Sequence, residues 1–283
     1  MRQISFILGV FLITQLLGVY VGVSMIRLSV TVPEVQQLNV APGGESSSPV
    51  SSAIFLLYVL AGAVLMVLVL RFYKGLFLFR MLEAVTLFIA SNIVFYVVFL
   101  SLAVPWGWTL AVFLSAFITA LKFMRPELKN LAAVLASAGV GAVFGFSLDI
   151  VPTLIFVAGL SLYDFLSVFV TGHMIYLARE LGKKQLAFSI AATETQYVEE
   201  TGKEESTTLE LGTGDMIIPL MLAVSSYKLS LSVFDSLAVV AGALVGLALV
   251  LWFVTRKKTY LPALPPISFF ALLFLALAKL LMG

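Results

Sequence analysis

The stretch Leu211-Gly212-Thr213-Gly214-Asp215 closes a polar segment rich in threonine and glutamate and opens an apolar run to Tyr227. Its reading turns on the aspartate. A carboxylate inside a membrane-crossing segment costs about 3 kcal/mol on insertion scales, so such a residue is a functional candidate by default. The two glycines permit an extended, closely approached entry. With Pro219 beyond them they mark a short, interrupted span, and irregular backbone at membrane depth is tolerated only where protein or water surrounds it. Asp215 is therefore expected at the mouth of a wet cavity.

The preceding apolar run, Pro152 to Val170, carries a second acid within Leu160-Ser161-Leu162-Tyr163-Asp164-Phe165-Leu166. If that span ends near Val170, Asp164 lies roughly 10 Å from its boundary, and Asp215 lies roughly 6 Å in from Leu211 on the same side. Consecutive spans are antiparallel, so the two acids meet at similar depth when the helices pack. A helix continued to Arg179 would separate them by two further turns, so a break is expected at Thr171–Gly172.

The rest of the chain fits this frame. Its 283 residues are 61% hydrophobic and 11% charged, with mean hydropathy +1.11. A soluble domain of that composition could not wet its surface, so the chain reads as an all-α polytopic membrane protein. A helix needs about 20 apolar residues to span the hydrocarbon core. On that template nine transmembrane helices are expected: Ile4–Ile26, Ala53–Arg71, Met81–Leu102, Trp106–Phe123, Leu131–Phe146, Pro152–Val170, Leu211–Tyr227, Leu231–Val254 and Leu264–Leu281. The first run is too long for a signal-peptide core and is kept as a span. The net charge of +2 gives no reason to expect a nucleic-acid partner, and with no cysteine there is no disulfide framework and no thiolate site.

Two connections are long. Arg27–Ser52, with Pro33, Pro42, Gly43, Gly44 and a serine run, reads as a polar loop without helix. In Thr171–Glu210, the amphipathic Met174–Leu181 is expected to lie at the interface. The mixed-charge remainder from Lys183 is expected to be mostly mobile. The chain thus divides into an N-terminal membrane region (residues 1–178) holding Asp164, a cytoplasmic loop (residues 179–210), and a C-terminal membrane region (residues 211–283) holding Asp215. Lysine and arginine placement sets orientation. With the N-terminus cytoplasmic, fourteen cations fall inside and three (Arg27, Lys228 and Lys279) outside, accounting for all 17. The loop between the aspartates is then cytoplasmic and the C-terminus external.

Two further acids fall within or beside spans. Glu83, three residues after Arg80, reads as an i,i+3 interfacial pair. Asp235, a turn into its span, reads as interfacial. His173, the single histidine, reads as an interfacial residue without a partner for nucleophilic or metal chemistry. Two carboxylates that share a site cannot both ionise cheaply, so the pair holds one proton and supplies one base and one acid. Two acids alone make a weak metal site, and neither a metal nor another cofactor is expected.

Tyr163-Asp164 in one span, Gly212-Thr213-Gly214-Asp215 opening the next, and Pro262-Ala263-Leu264 opening the last resemble the presenilin and signal-peptide-peptidase family of GxGD intramembrane aspartyl proteases. The inward loop, the Pro265-Pro266 pair and the short connections are most similar to an archaeal presenilin homologue. The resemblance implies that Asp164 and Asp215 are catalytic. It implies that Tyr163, Gly212, Thr213 and Gly214 shape the site, and that Pro262, Ala263 and Leu264 support it and position substrate. The implied activity is aspartic endopeptidase cleavage of single-span transmembrane proteins within the lipid bilayer, and a homo-oligomer is left open. The rival reading is a transporter or cation pathway, since interrupted helices carrying acids also mark transporters; no pair of repeats supports it.

Overall fold

The computed structural model describes residues 2–41, 47–72, 75, 77–170, 189–198, 203–257 and 261–282. Among them are nine helices of 17 residues or more: α1 (Arg2–Leu28), α2 (Pro49–Phe72), α3 (Phe77–Ser101), α4 (Gly107–Met124), α5 (Lys129–Ser147), α6 (Ile150–Phe169), α7 (Gly214–Ser230), α8 (Val233–Lys257) and α9 (Leu264–Met282). Seven segments are long and apolar enough to cross a membrane by length and composition. The expected runs and the helices coincide to within a few residues, because burying backbone in hydrocarbon leaves helix as the only self-satisfied form for a single segment.

Three expectations are corrected. The fold is mostly helical, as expected, but Ser189–Val198 (β1) and Lys203–Gly212 (β2), in a segment expected to be mostly mobile, form an antiparallel hairpin. The seventh helix consequently starts at Gly214 rather than Leu211, since Leu211 and Gly212 belong to β2. The stretch read as loop without helix contains a helical turn, Pro33–Gln36, anchored by the fully buried Val35. The expected break at Thr171–Gly172, the amphipathic Met174–Leu181 and His173 lie outside the described residues.

Helix α7 is the axis of the bundle, packed by α1, α5, α6, α8 and α9. Every residue from Ile218 to Tyr227 is buried, which is why its apolar character has no polar face. Two glycine pairs let the neighbouring backbones come close. Gly18 and Gly22 of α1 and Gly141 and Gly145 of α5 face Leu220 and Val224 of α7. A Cβ at Gly22 would fall 2.5 Å from Val224 and one at Gly141 2.6 Å from Leu220. Without a hydrophobic drive between helices in lipid, such close packing and interhelical hydrogen bonds hold them together. Thr153 of α6 bonds Ser225 of α7 at 3.1 Å, Ser236 of α8 donates to the Ala223 carbonyl at 2.7 Å, and Ser161 of α6 meets Ser268 of α9 at 3.3 Å.

The polar groups separate between the two ends of the bundle. At one end, Lys228 pairs with Asp149 at 2.7 Å, Lys279 pairs with Asp235 at 2.5 Å, and Arg27 donates to the Tyr227 hydroxyl at 3.0 Å. These are the three cations of the sparse side. Asp235 is thus a buried ion-pair partner. Glu83, expected as an interfacial partner of Arg80, is buried between α3 and α4 against Lys122, an opposite charge that follows it into the packed interface.

Candidate active site

Asp164 sits five residues before the end of α6, and Asp215 is the second residue of α7. Both are half-buried, and their carboxyl groups are close enough to interact electrostatically. The hairpin explains the placement of Asp215. Strand β2 carries the chain extended down to Gly212, and the Thr213 carbonyl then receives the amides of Met216 and Ile217 at 3.1 and 3.0 Å, starting α7. Asp215 falls in the first turn, a position where negative charge is favoured. The Gly212 backbone lies against its carboxyl group: a Cβ on Gly212 would lie 3.4 Å from Asp215 Oδ2.

Asp164 is held from another direction. The amide of Leu264, the first residue of α9, donates to Asp164 Oδ2 at 3.1 Å. Proline chemistry makes this bond selective. A helix start offers about four free amides, but Pro265 and Pro266 have none, and Ile267 donates to Ala263 at 3.3 Å. Leu264 is left as the donor. Pro262 and Leu264 are buried and Ala263 half-buried beneath it. Tyr163, half-buried, interacts electrostatically with its neighbour Asp164.

The residues singled out from sequence therefore gather around two carboxylates, Asp164 held by the Leu264 amide and Asp215 flanked by the Gly212 backbone. Gly214 borders open space: nothing lies within 4 Å of where its Cβ would be. Neither glycine of the motif uses left-handed backbone, so their value is closeness rather than an unusual φ.

Two polar residues of the surroundings escape the sequence reading. Gln15 of α1, fully buried, donates to the Met216 carbonyl at 2.8 Å, tying α1 to the first turn of α7. Pro219 weakens that turn, because it has no amide to return to the Asp215 carbonyl. The available signal is a glutamine inside an apolar run. Asn130, in the first turn of α5, bonds both backbone groups of Ala191 in β1: Nδ2 donates to the carbonyl at 3.0 Å, and Oδ1 accepts from the amide at 3.1 Å. No sequence pattern marks it, since its partner is 61 residues away.

Residues 8–279 match the family model described as "Signal-peptide peptidase, presenilin aspartyl protease". Two similar solved structures are both presenilin family intramembrane aspartate proteases, one in a C222 and one in a P2 crystal form. The first is 26% identical with a TM-score of 0.70, the match covering 98% of this chain and 99% of that one. The second is 29% identical with a TM-score of 0.64, covering 95% and 96%. A comparison with curated proteins finds no match.

Proposed function

Because the chain belongs to the signal-peptide peptidase and presenilin family, and is an integral membrane protein with intramembrane aspartic endopeptidase activity, we propose that Asp164 and Asp215 are its catalytic pair. The observation that carries the assignment is their convergence from neighbouring helices, Asp164 held by the Leu264 amide and Asp215 flanked by the end of β2. Family membership also favours proteolysis over the transporter reading.

In the proposed mechanism the two carboxyls share one proton. The ionised member takes a proton from water as the water oxygen attacks the scissile carbonyl, while the protonated member donates to the carbonyl oxygen. The tetrahedral intermediate then collapses, a proton passing to the leaving amide nitrogen. The Leu264 amide holds the Asp164 carboxyl in place through this cycle, Gly212 lies against that of Asp215, Tyr163 lies beside Asp164, Thr213 starts α7 through its carbonyl, and Pro262-Ala263-Leu264 supports the Asp164 side.

The proposed substrate is a single transmembrane helix that unwinds so that one peptide bond reaches the dyad. Its extended segment adds as a strand near Gln185–Thr193 or Thr207–Gly214; Gln185 lies outside the described residues. Because Asn130 already occupies the outward groups of Ala191, the edge of β2 is favoured. We further propose nine membrane spans, with the hairpin end of the bundle cytoplasmic and the C-terminus outside, on the fourteen-to-three division of cations. The test is incubation of the purified protein with a labelled single-span substrate. Cleavage is expected to vanish in Asp164→Ala and in Asp215→Ala; cleavage persisting in either would remove that residue from the catalytic pair.

A further inference from the structure

We propose that Asn130 is a positioning residue for Asp215, acting by fixing the register of the hairpin; this rests on Asp215 being catalytic. In an antiparallel ladder, the backbone groups of successive residues point alternately toward and away from the partner strand. Ala191 spends both its amide and its carbonyl on Asn130, so both point away from β2. Its partner across the ladder is Glu210, and that rung is therefore one without interstrand bonds. Gly212 stands two residues beyond Glu210 and shares its parity. Its amide faces the outer edge of β2, and its backbone lies against the Asp215 carboxyl group.

The parity is decisive. With β1 held on Asn130, a slip of one residue would reverse β2, turning the Gly212 amide into the ladder and carrying the buried Leu211 off the face that packs on the bundle. Asn130 supplies the fixed reference, because only a residue of β1 with outward backbone groups can satisfy its amide side chain twice. Lys129 reinforces the same rung: its ammonium lies 3.7 Å from Glu210. Two consecutive side chains at the start of α5 thus grip the two strands of one rung, and the last residue of β2 lies against the Asp215 carboxyl group. A two-stranded hairpin alone is marginally stable, so the grip has an equilibrium to bias.

The experiment compares wild type, Asn130→Ala, Asn130→Asp (which keeps the acceptor and loses the donor) and Asn130→Gln (which keeps both) in the full-length protein, with Asp215→Asn as control. Steady-state cleavage, binding of a hydroxyl-bearing transition-state-analogue peptide and thermal unfolding in detergent are measured together. A misplacement of about 1 Å at a reacting group lowers rates by about 100-fold. Asn130→Ala is expected to lower kcat by about 10- to 100-fold, with KM within about twofold and an unfolding midpoint close to wild type. Analogue binding should weaken in parallel with kcat/KM, Asn130→Asp should fall between, and Asn130→Gln should recover some of the loss. Wild-type kcat and analogue binding in Asn130→Ala would overturn the inference. If Asn130→Ala fails to fold, Asn130→Asp decides by the same readings. Retained cleavage in Asp215→Asn would instead overturn the dyad assignment, whatever Asn130 does.

Discussion

The backbone amide of Leu264 donates to Oδ2 of Asp164 at 3.1 Å, linking residues 100 apart in sequence. This bond ties the Pro-Ala-Leu triplet to the acid it supports, and it separates two roles of Leu264. Leu264→Ala keeps the amide and loses packing, whereas Leu264→Pro removes the amide at a helix position that accepts proline. Leu264→Pro is expected to lower kcat by about 10- to 100-fold, with a smaller effect from Leu264→Ala. Equal kinetics for the two variants would show that the side chain alone matters.

Gly214 faces open space beside Asp215. Gly214→Ala meets no protein atom and relieves backbone entropy, so the folded state should hold or gain up to about 1 kcal/mol. If the unwound substrate passes over this point, the added methyl raises KM severalfold. Paired measurement of the unfolding midpoint and KM checks this; unchanged KM would place the substrate path elsewhere.

Gln15 reaches the Met216 carbonyl from α1, while its own Oε1 is buried without a partner among the described residues. Stability and activity should therefore move apart. Gln15→Leu removes a half-satisfied buried amide, a change that costs little or stabilises, yet it frees the first turn of α7 that carries Asp215. The expected outcome is an unfolding midpoint at or above wild type with kcat reduced by several-fold or more. A midpoint that falls while kcat holds would mark Gln15 as structural only.

Asp235, buried, accepts from Ser230 at 2.5 Å and pairs with the half-exposed Lys279. Removing only the cation leaves a buried charge, which costs about 3 kcal/mol at the low end for broken buried pairs, because Lys279 is partly solvated. Lys279→Met should lower the unfolding midpoint, and Asp235→Asn combined with Lys279→Met should recover much of the loss. Activity of folded protein should stay near wild type in both, since this pair lies at the far end of the bundle from Asp164 and Asp215.

What can be read from sequence follows from which forces are local. Helices such as Val233–Lys257 and Leu264–Met282 emerge from apolar run length alone, because lipid imposes the helix. Asp164 and Asp215 stand out because an acid is costly in such a run. The strands Ser189–Val198 and Lys203–Gly212 read as part of a mostly mobile segment because its composition is polar. Its order comes from elsewhere: the bidentate grip of Asn130, the Lys129–Glu210 contact and the seating of Ile190 and Leu211 against the bundle. The same holds for Glu83, whose partner Lys122 comes from the next helix. The pairs Gly18–Gly22 and Gly141–Gly145 carry a readable four-residue spacing; only the packing shows that both converge on Leu220 and Val224.

The decisive measurement is the rate of substrate cleavage by Asp164→Asn, Asp215→Asn and the double variant, in one membrane or detergent preparation with folding checked for each. Residues that act as a unit are strongly non-additive. Each single change should lower kcat by at least about a thousandfold, and the double change should cost no more than either one. Independent, additive losses, or one variant cleaving at near wild-type rate, would contradict a shared water-activating pair.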